Sequence, residues 1–346
     1  MISIFAFISV IIIIPFICRL ASKAGFVDRP EGRKQHERAV PPLGGLVIFS
    51  VFLIFIMMFG NLSSAVIGAL ALILVVGIID DAWEINAVIK FVIHFAAAFI
   101  IVIFGHSQIQ TLGDLLGTGT LTLAWMAIPF SVACIVYIQN AMNMMDGVDG
   151  LAGGQSFLIF SWFLLAASSA GNNLAVFELS LLMACIFGFL IFNMRSPFLK
   201  SAKIFLGDAG SMSLGLLIAW YAITLSQGGS PVISPVSIAW IIALPIFDSF
   251  ALLVARLKDK KPPFVADRRH FHHHFASAGF SAAQTTLIIL SYSTLLGTIG
   301  YFSPKFGVPD YILGWGWISL WIGHTVLTIR ANQFIKFLTK VKSKLS

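Results

Sequence analysis

Eleven apolar stretches, each long enough for a helix to cross the hydrocarbon of a bilayer, dominate this sequence. They lie near residues 2–20, 43–60, 62–79, 88–105, 121–139, 154–170, 174–193, 209–225, 235–253, 285–302 and 311–329. A spanning helix needs about 20 mainly apolar residues. Of the 346 residues, 58% are hydrophobic and 11% charged. A soluble domain carries about 25% charged residues, so this chain lacks the polar surface for a water-soluble globule. The expected fold is an all-α polytopic integral membrane protein. No basic residue precedes the first stretch and no small-residue cleavage site follows it, so it is expected to be a retained span.

An odd number of spans puts the two ends of the chain on opposite sides of the membrane. With the N-terminus periplasmic and the C-terminus cytoplasmic, the inner segments are about 19–42, 80–90, 140–153, 194–208, 254–284 and 329–346. These segments collect 21 of the 22 Lys and Arg residues, Lys305 being the exception. Basic residues are retained on the cytoplasmic side, so the charge distribution supports this orientation. Residues 1–346 are expected to form a single membrane-embedded domain with these cytoplasmic loops, and the outer segment near 106–120 reads as a short hairpin. The net charge of +7 is expected to face anionic lipid or an anionic substrate rather than nucleic acid. Three scattered cysteines, Cys18, Cys134 and Cys185, fit buried thiols and neither a disulfide framework nor a zinc ribbon.

Twelve of the 15 carboxylates fall on the inner side, several abutting spans directly. Ionisable groups at membrane depth are costly and mark function. A transporter places them near the midplane, whereas here they gather at one face, which favours chemistry at the membrane–cytoplasm interface. Asp80 and Asp81 end the third span, where two adjacent carboxylates require a cation, a proton or a basic neighbour. Magnesium takes one or two carboxylates together with substrate phosphates; a helix cap is the simpler alternative. In the run NAMNMMDGVDGLAGG, Asn140, Asn143, Asp146 and Asp149 recur every third residue, a spacing that places neighbours on one helical face. In FLGDAGS, Asp208 opens a span, either as part of a helix cap or at an N-terminus whose free N–H groups meet phosphate.

The last inner loop holds Arg256, Asp267, Arg268, Arg269, His270, His272, His273 and His274. It has neither the partner cysteines nor the spacing of a zinc site, and its Asp-Arg-Arg-His core suits a grip on phosphate and sugar. His94 and His324, within spans, read as core residues.

Together with the early loop DRPEGRKQHERAVPPLGG, the stretch SPVSIAWIIALPIFD ending at Asp248, and PFVADRRHFHHHF, these motifs resemble the polyprenyl-phosphate N-acetylhexosamine-1-phosphate transferase superfamily over essentially the whole chain. The resemblance implies a multi-pass protein of the bacterial inner membrane. It would take UDP-N-acetylglucosamine and undecaprenyl phosphate to undecaprenyl-diphospho-N-acetylglucosamine and UMP, with Mg²⁺ or Mn²⁺. It further implies metal contacts from Asp208 and Asn143, with Asp80 and Asp81 beside them, one of the pair orienting or deprotonating the lipid phosphate. Lys90 would touch a phosphate, and Asp146 and Asp149 would serve the metal shell and the nucleotide. Asn140, Asp267, His270, His272 and His273 would contact substrate, with Arg256 and Arg269 on phosphate. Two departures stand out: a third consecutive histidine, His274, bearing on sugar choice, and Val88 where relatives often carry Lys. Direct attack by the lipid phosphate and a covalent aspartyl-phosphate route both remain open, as does the choice among UDP-N-acetylhexosamines. A nucleotide-sugar or polyprenyl-lipid transporter is the reading from a different class. Small residues on several spans leave a homodimer open, with no sharp dimer face.

Overall fold

The computed structural model describes residues 1–28, 39–83, 85–262 and 269–345. Among these the regular structure is helical, and extended segments meet only in isolated bridges. The helices are α1 (Ile2–Ala24), α2 (Gly44–Phe59), α3 (Ser64–Trp83), α4 (Ala87–Phe99), α5 (Ala127–Met145), α6 (Leu151–Ser169), α7 (Asn173–Asn193) and α8 (Gly207–Ser226). They continue with α9 (Pro235–Ile241), α10 (Ala243–Lys258), α11 (Phe271–Ser277), α12 (Ala282–Phe302), α13 (Asp310–Ile329) and α14 (Ala331–Leu345). The chain divides into two compact units, one of residues 1–110 and 124–232, the other of residues 111–123 and 233–346.

Each of the eleven expected stretches falls on a helix, and the structure refines what kind. Among the described residues nine helices are long and apolar enough to span. The stretch at 43–60 is the shorter α2, 16 residues, or about 24 Å at 1.5 Å per residue. The stretch at 235–253 is not one rod: α9 and α10 meet at a 74° bend. Pro245 explains the break. It has no N–H to donate, and its ring clashes with the carbonyl four residues back, which belongs to Ile241, the last residue of α9.

In the first unit α8 is the buried centre, packed by α2, α3, α5 and α6 and enclosed along nearly its whole length. Helices surrounded by lipid-like side chains gain little from hydrophobic transfer and associate through close packing at small residues. Gly77 of α3 lies so near Ala209 of α8 that an added Cβ would overlap the Ala209 backbone. That close approach brings the end of α3, with Asp80 and Asp81, against the start of α8.

The second unit packs α9 and α10 against α12 and α13, with α11 resting on α12 and α14. Its segment 111–123 forms the expected hairpin-like turn. Thr111 and Thr122 pair as a bridge, and the Leu112 N–H donates to Leu121 O at 2.9 Å. The three cysteines are free thiols.

Candidate active site

Asp80, Lys90, Asn143 and Asp208 converge at the ends of α3, α4, α5 and α8. The Lys90 ammonium, on the first turn of α4, bridges two carboxylates: it pairs with Asp80 and lies 3.1 Å from Asp208 Oδ2. Asp208 Oδ1 accepts a hydrogen bond from Asn143 Nδ2 at 2.9 Å, and the same amide nitrogen donates to Ser211 Oγ at 3.0 Å. Asp80 Oδ1 accepts the Ile85 N–H at 2.7 Å. The Asp80 side chain is 2% exposed, those of Lys90 and Asp208 28% and 35%. Asp80 therefore anchors from beneath, while Asp208 and Lys90 are the members a ligand can reach.

Asp81 does something spacing did not distinguish. Its two oxygens accept the N–H groups of Asp208 (2.8 Å) and Ala209 (3.3 Å), so it caps α8 from another helix. Of the two readings of this helix start, the structure shows the cap. Two of its orphan N–H donors already hold a carboxylate, which also complements the positive end of the helix dipole.

The run of polar residues at constant spacing also resolves differently from a single helical face. Asn140 and Asn143 sit on α5, but the helix stops at Met145 and Asp146 is its cap. Gly150, at φ 79°, adopts the left-handed conformation that glycine takes without steric cost, and α6 begins one residue later. Asp146 is exposed at the turn. Asp149 is carried past it to Arg195, whose Nε donates to Asp149 Oδ2 at 2.6 Å. Asn140 lies 3.3 Å from His94 Nδ1, and His94 Nε2 faces Met212 Sδ, so His94 is a packed, partnered histidine as expected. Arg195 and Ser211 were not among the sequence candidates. Ser211 was legible as the end of FLGDAGS, whereas Arg195 carried no signal beyond its charge.

In the second unit the histidine run is a short helix rather than a loop, with His270 at its N-cap. Asp248 of α10 organises its start: Oδ2 accepts from His270 Nδ1 and Oδ1 from the Phe271 N–H, both at 2.8 Å. The His270 and His272 rings stack at 5.5 Å and those of His272 and His273 lie 4.2 Å apart. Arg269 donates to Asp259 at 2.8 Å, and Arg256 is buried on α10. Asp267 and Arg268 lie outside the described residues. The additional histidine, His274, is 1% exposed and packs edge-on against Phe334 of α14. It is a core residue of this unit, so the reason to connect it with sugar choice falls away. His324 packs on Phe271 and Phe247.

Burial holds two of these histidines neutral. Desolvation, then the neighbouring His273, lowers His272 to about 3; desolvation alone is the main cause that lowers His274 to about 4. An unfolded histidine takes up a proton below about 6.5, so the unfolded chain binds more protons at mild acidity. Stability from these groups is complete above that value and is lost as pH falls from about 6.5 towards about 4 for His274 and about 3 for His272. At pH 5 the expected loss is about 2 kcal/mol per histidine. Hydrogen exchange of residues 271–277 should accelerate between pH 7.5 and 5 after correction for the intrinsic rate; unchanged protection would show that these rings are not held neutral.

Among the described residues no group of three or more His, Cys, Asp or Glu is arranged to hold a metal by itself. The chemistry of the first-unit cluster still suits a hard cation of the magnesium type, which takes one or two carboxylates and completes its shell with water and phosphate oxygens. Asp208 supplies accessible carboxylate oxygens of that kind, with Asp80 beneath it, and Asn143 meets Asp208 through its amide nitrogen.

The described residues define a helical, multi-pass membrane protein with a carboxylate–lysine–amide cluster at its helix ends. Comparison with known proteins narrows the class. The sequence pattern of glycosyl transferase family 4 matches residues 63–226, the stretch that contains Asp80, Lys90, Asn143 and Asp208. A probable undecaprenyl-phosphate N-acetylglucosaminyl 1-phosphate transferase of Bacillus subtilis is 34% identical over 298 residues, covering 82% of this chain and 78% of the relative. The undecaprenyl-phosphate alpha-N-acetylglucosaminyl 1-phosphate transferases of Salmonella typhi and Escherichia coli K12 are 31% and 29% identical, each covering 100% of this chain and 94% of the relative. The chain belongs to glycosyl transferase family 4 and is a phosphoglycosyltransferase.

Proposed function

We propose that this protein transfers N-acetylglucosamine 1-phosphate from UDP-N-acetylglucosamine to undecaprenyl phosphate at the cytoplasmic face of a bacterial inner membrane. The products are undecaprenyl-diphospho-N-acetylglucosamine and UMP, and the step initiates a cell-surface polysaccharide. The observation that carries the reading is the Lys90 ammonium held between Asp80 and Asp208 beside Asn143, polar chemistry concentrated at the ends of otherwise apolar helices. The names of the relatives support the substrates, and the basic inner loops support the orientation.

An oxygen of the lipid phosphate attacks the sugar-bearing phosphorus of the nucleotide sugar. A new phosphorus–oxygen bond forms, and the bond to the bridging oxygen breaks as UMP leaves. Such transfer depends on positioning and on offsetting charge. Lys90, anchored by Asp80, presents its ammonium to a phosphate oxygen. Asn143, itself held by Ser211, fixes the rotamer of Asp208. Asp81 holds the start of α8 so that Asp208 stays in place. Mg²⁺ or Mn²⁺, held by Asp208 and Asn143 with Asp80 alongside, would neutralise diphosphate charge when bound. Direct attack suffices, because the lipid phosphate is itself a competent nucleophile. In the second unit, the histidine helix set by Asp248 contributes donors to nucleotide-sugar recognition, with Arg256 and Arg269 on phosphate.

The test uses purified protein in detergent with undecaprenyl phosphate, Mg²⁺ and a panel of UDP-sugars, following UMP and lipid product together. Lipid-dependent UMP release with UDP-N-acetylglucosamine is the expected result. Release only with another UDP-N-acetylhexosamine would change the sugar, and none with any sugar from folded protein would overturn the reading. In the same assay His270→Ala should raise KM for the nucleotide sugar by about tenfold or more, the loss of one charge-assisted contact. An unchanged KM would remove His270 from recognition.

A further inference from the structure

The last helix, α14, has two faces of different chemistry. One is apolar and packed within its own unit: Phe334 stacks on Phe271 at 6.0 Å and meets His274 at 5.6 Å and Phe275 at 6.3 Å, and Leu338 is buried. The other is a basic stripe. Lys336, Lys340 and Lys344 recur every fourth residue, which stacks them along one side of a helix, and all three are exposed. Phe337, at the edge of that stripe, is 60% exposed. From residue 330 to residue 346 the chain has five basic residues and no carboxylate. This stripe follows directly on α13, a helix long and apolar enough to span a bilayer, with a single residue between them.

We propose that α14 is a strap on the membrane surface: its lysine stripe and Phe337 bind the anionic phospholipid headgroups that border α13, and its opposite face holds the histidine helix α11. Charge complementarity selects the occupant. A row of ammonium groups with no acidic partner among the described residues, beside a spanning helix, meets the anionic headgroup layer, where basic residues gain from the negative surface potential. An exposed aromatic among lysines suits the headgroup–acyl boundary, where an apolar ring and charged tips are both accommodated. Because Phe334 packs on Phe271 and Phe275, ordering of α14 by lipid carries over to α11. This goes beyond the proposed reaction and does not depend on it.

The experiment is hydrogen exchange of the full-length protein in nanodiscs, with no substrate present. In phosphatidylglycerol-containing discs, residues 331–345 should exchange on the order of tenfold more slowly than in pure phosphatidylcholine, and residues 271–277 should follow. The combined Lys336→Gln, Lys340→Gln and Lys344→Gln variant should lose that difference. Since the variant can also weaken the helix itself, the wild-type protein is measured at about 1 M salt, where the screening length falls to about 3 Å; the lipid effect should vanish there too. Equal protection in both lipids, a difference that survives salt, or protection reproduced in phosphatidylcholine by added inorganic phosphate would each overturn the proposal. Because nothing turns over in this measurement, its failure is separate from failure of the transferase reading.

Discussion

Asp208→Asn should reduce turnover by at least about 10³-fold while leaving the protein folded and inserted. The carboxylate is where the cluster converges: Lys90, Asn143 and, through the Asp208 backbone N–H, Asp81 all address it. The amide keeps the shape and can still meet Asn143, but it removes the negative charge that holds Lys90 from one side and would bind a cation. Removing a preorganised electrostatic contact at a reacting phosphate or oxyanion costs about 10²–10³ in rate, and Asp208 serves the lysine and the cation at once. With about a third of its side chain exposed, it contributes little to packing, so thermal unfolding should shift by only a few degrees. The measurement is single-turnover UMP release beside a melting curve. Full activity in a folded variant would take Asp208 out of the reaction.

Lys90→Met has the second large expected effect and separates two consequences. Chemically, the phosphate loses its fixed positive contact, and kcat should fall by about 10²-fold or more. Structurally, Asp80 and Asp208 are left facing one another without their shared cation. Breaking a fully buried ion pair costs about 3–5 kcal/mol. Here Lys90 and Asp208 keep part of their surface in water, which screens the interaction, so about 2 kcal/mol is the expectation. The variant should then gain more thermal stability from added Mg²⁺ than the wild-type protein, because a divalent ion can take the place of the missing ammonium between the two carboxylates. Unchanged melting and an unchanged Mg²⁺ response would show that Lys90 does not bridge them.

Much of this architecture was legible in the order of residues. A membrane imposes a length and a composition on whatever crosses it, so the helices could be read as runs of apolar side chains. Asp80, Asn143 and Asp208 stood out because polar groups beside such runs are costly and need a reason, whereas Lys90 was implied only by the family resemblance. The glycines of NAMNMMDGVDGLAGG also marked a place where the backbone can bend, and there α5 stops at Met145 and Gly150 caps α6. Pro245, which breaks the expected ninth span between α9 and α10, acts through backbone geometry that a count of apolar residues passes over.

The remainder lay in contacts between distant parts of the chain. Asp81 and Asp208 are both in the sequence, but only the packing of Gly77 on Ala209 lets one cap the helix that carries the other. Asp149 acquires Arg195, 46 residues on. His274 is buried against Phe334, 60 positions away, while His270 turns to Asp248, so two histidines of one run have unlike roles. The sequence by itself determined a helical membrane protein and which polar residues are candidates for chemistry, because burial in lipid is a property of composition. Which carboxylate caps a helix, which is bridged and which stays accessible was decided by tertiary structure alone, because each depends on an approach of a few ångströms that neighbours in sequence do not make.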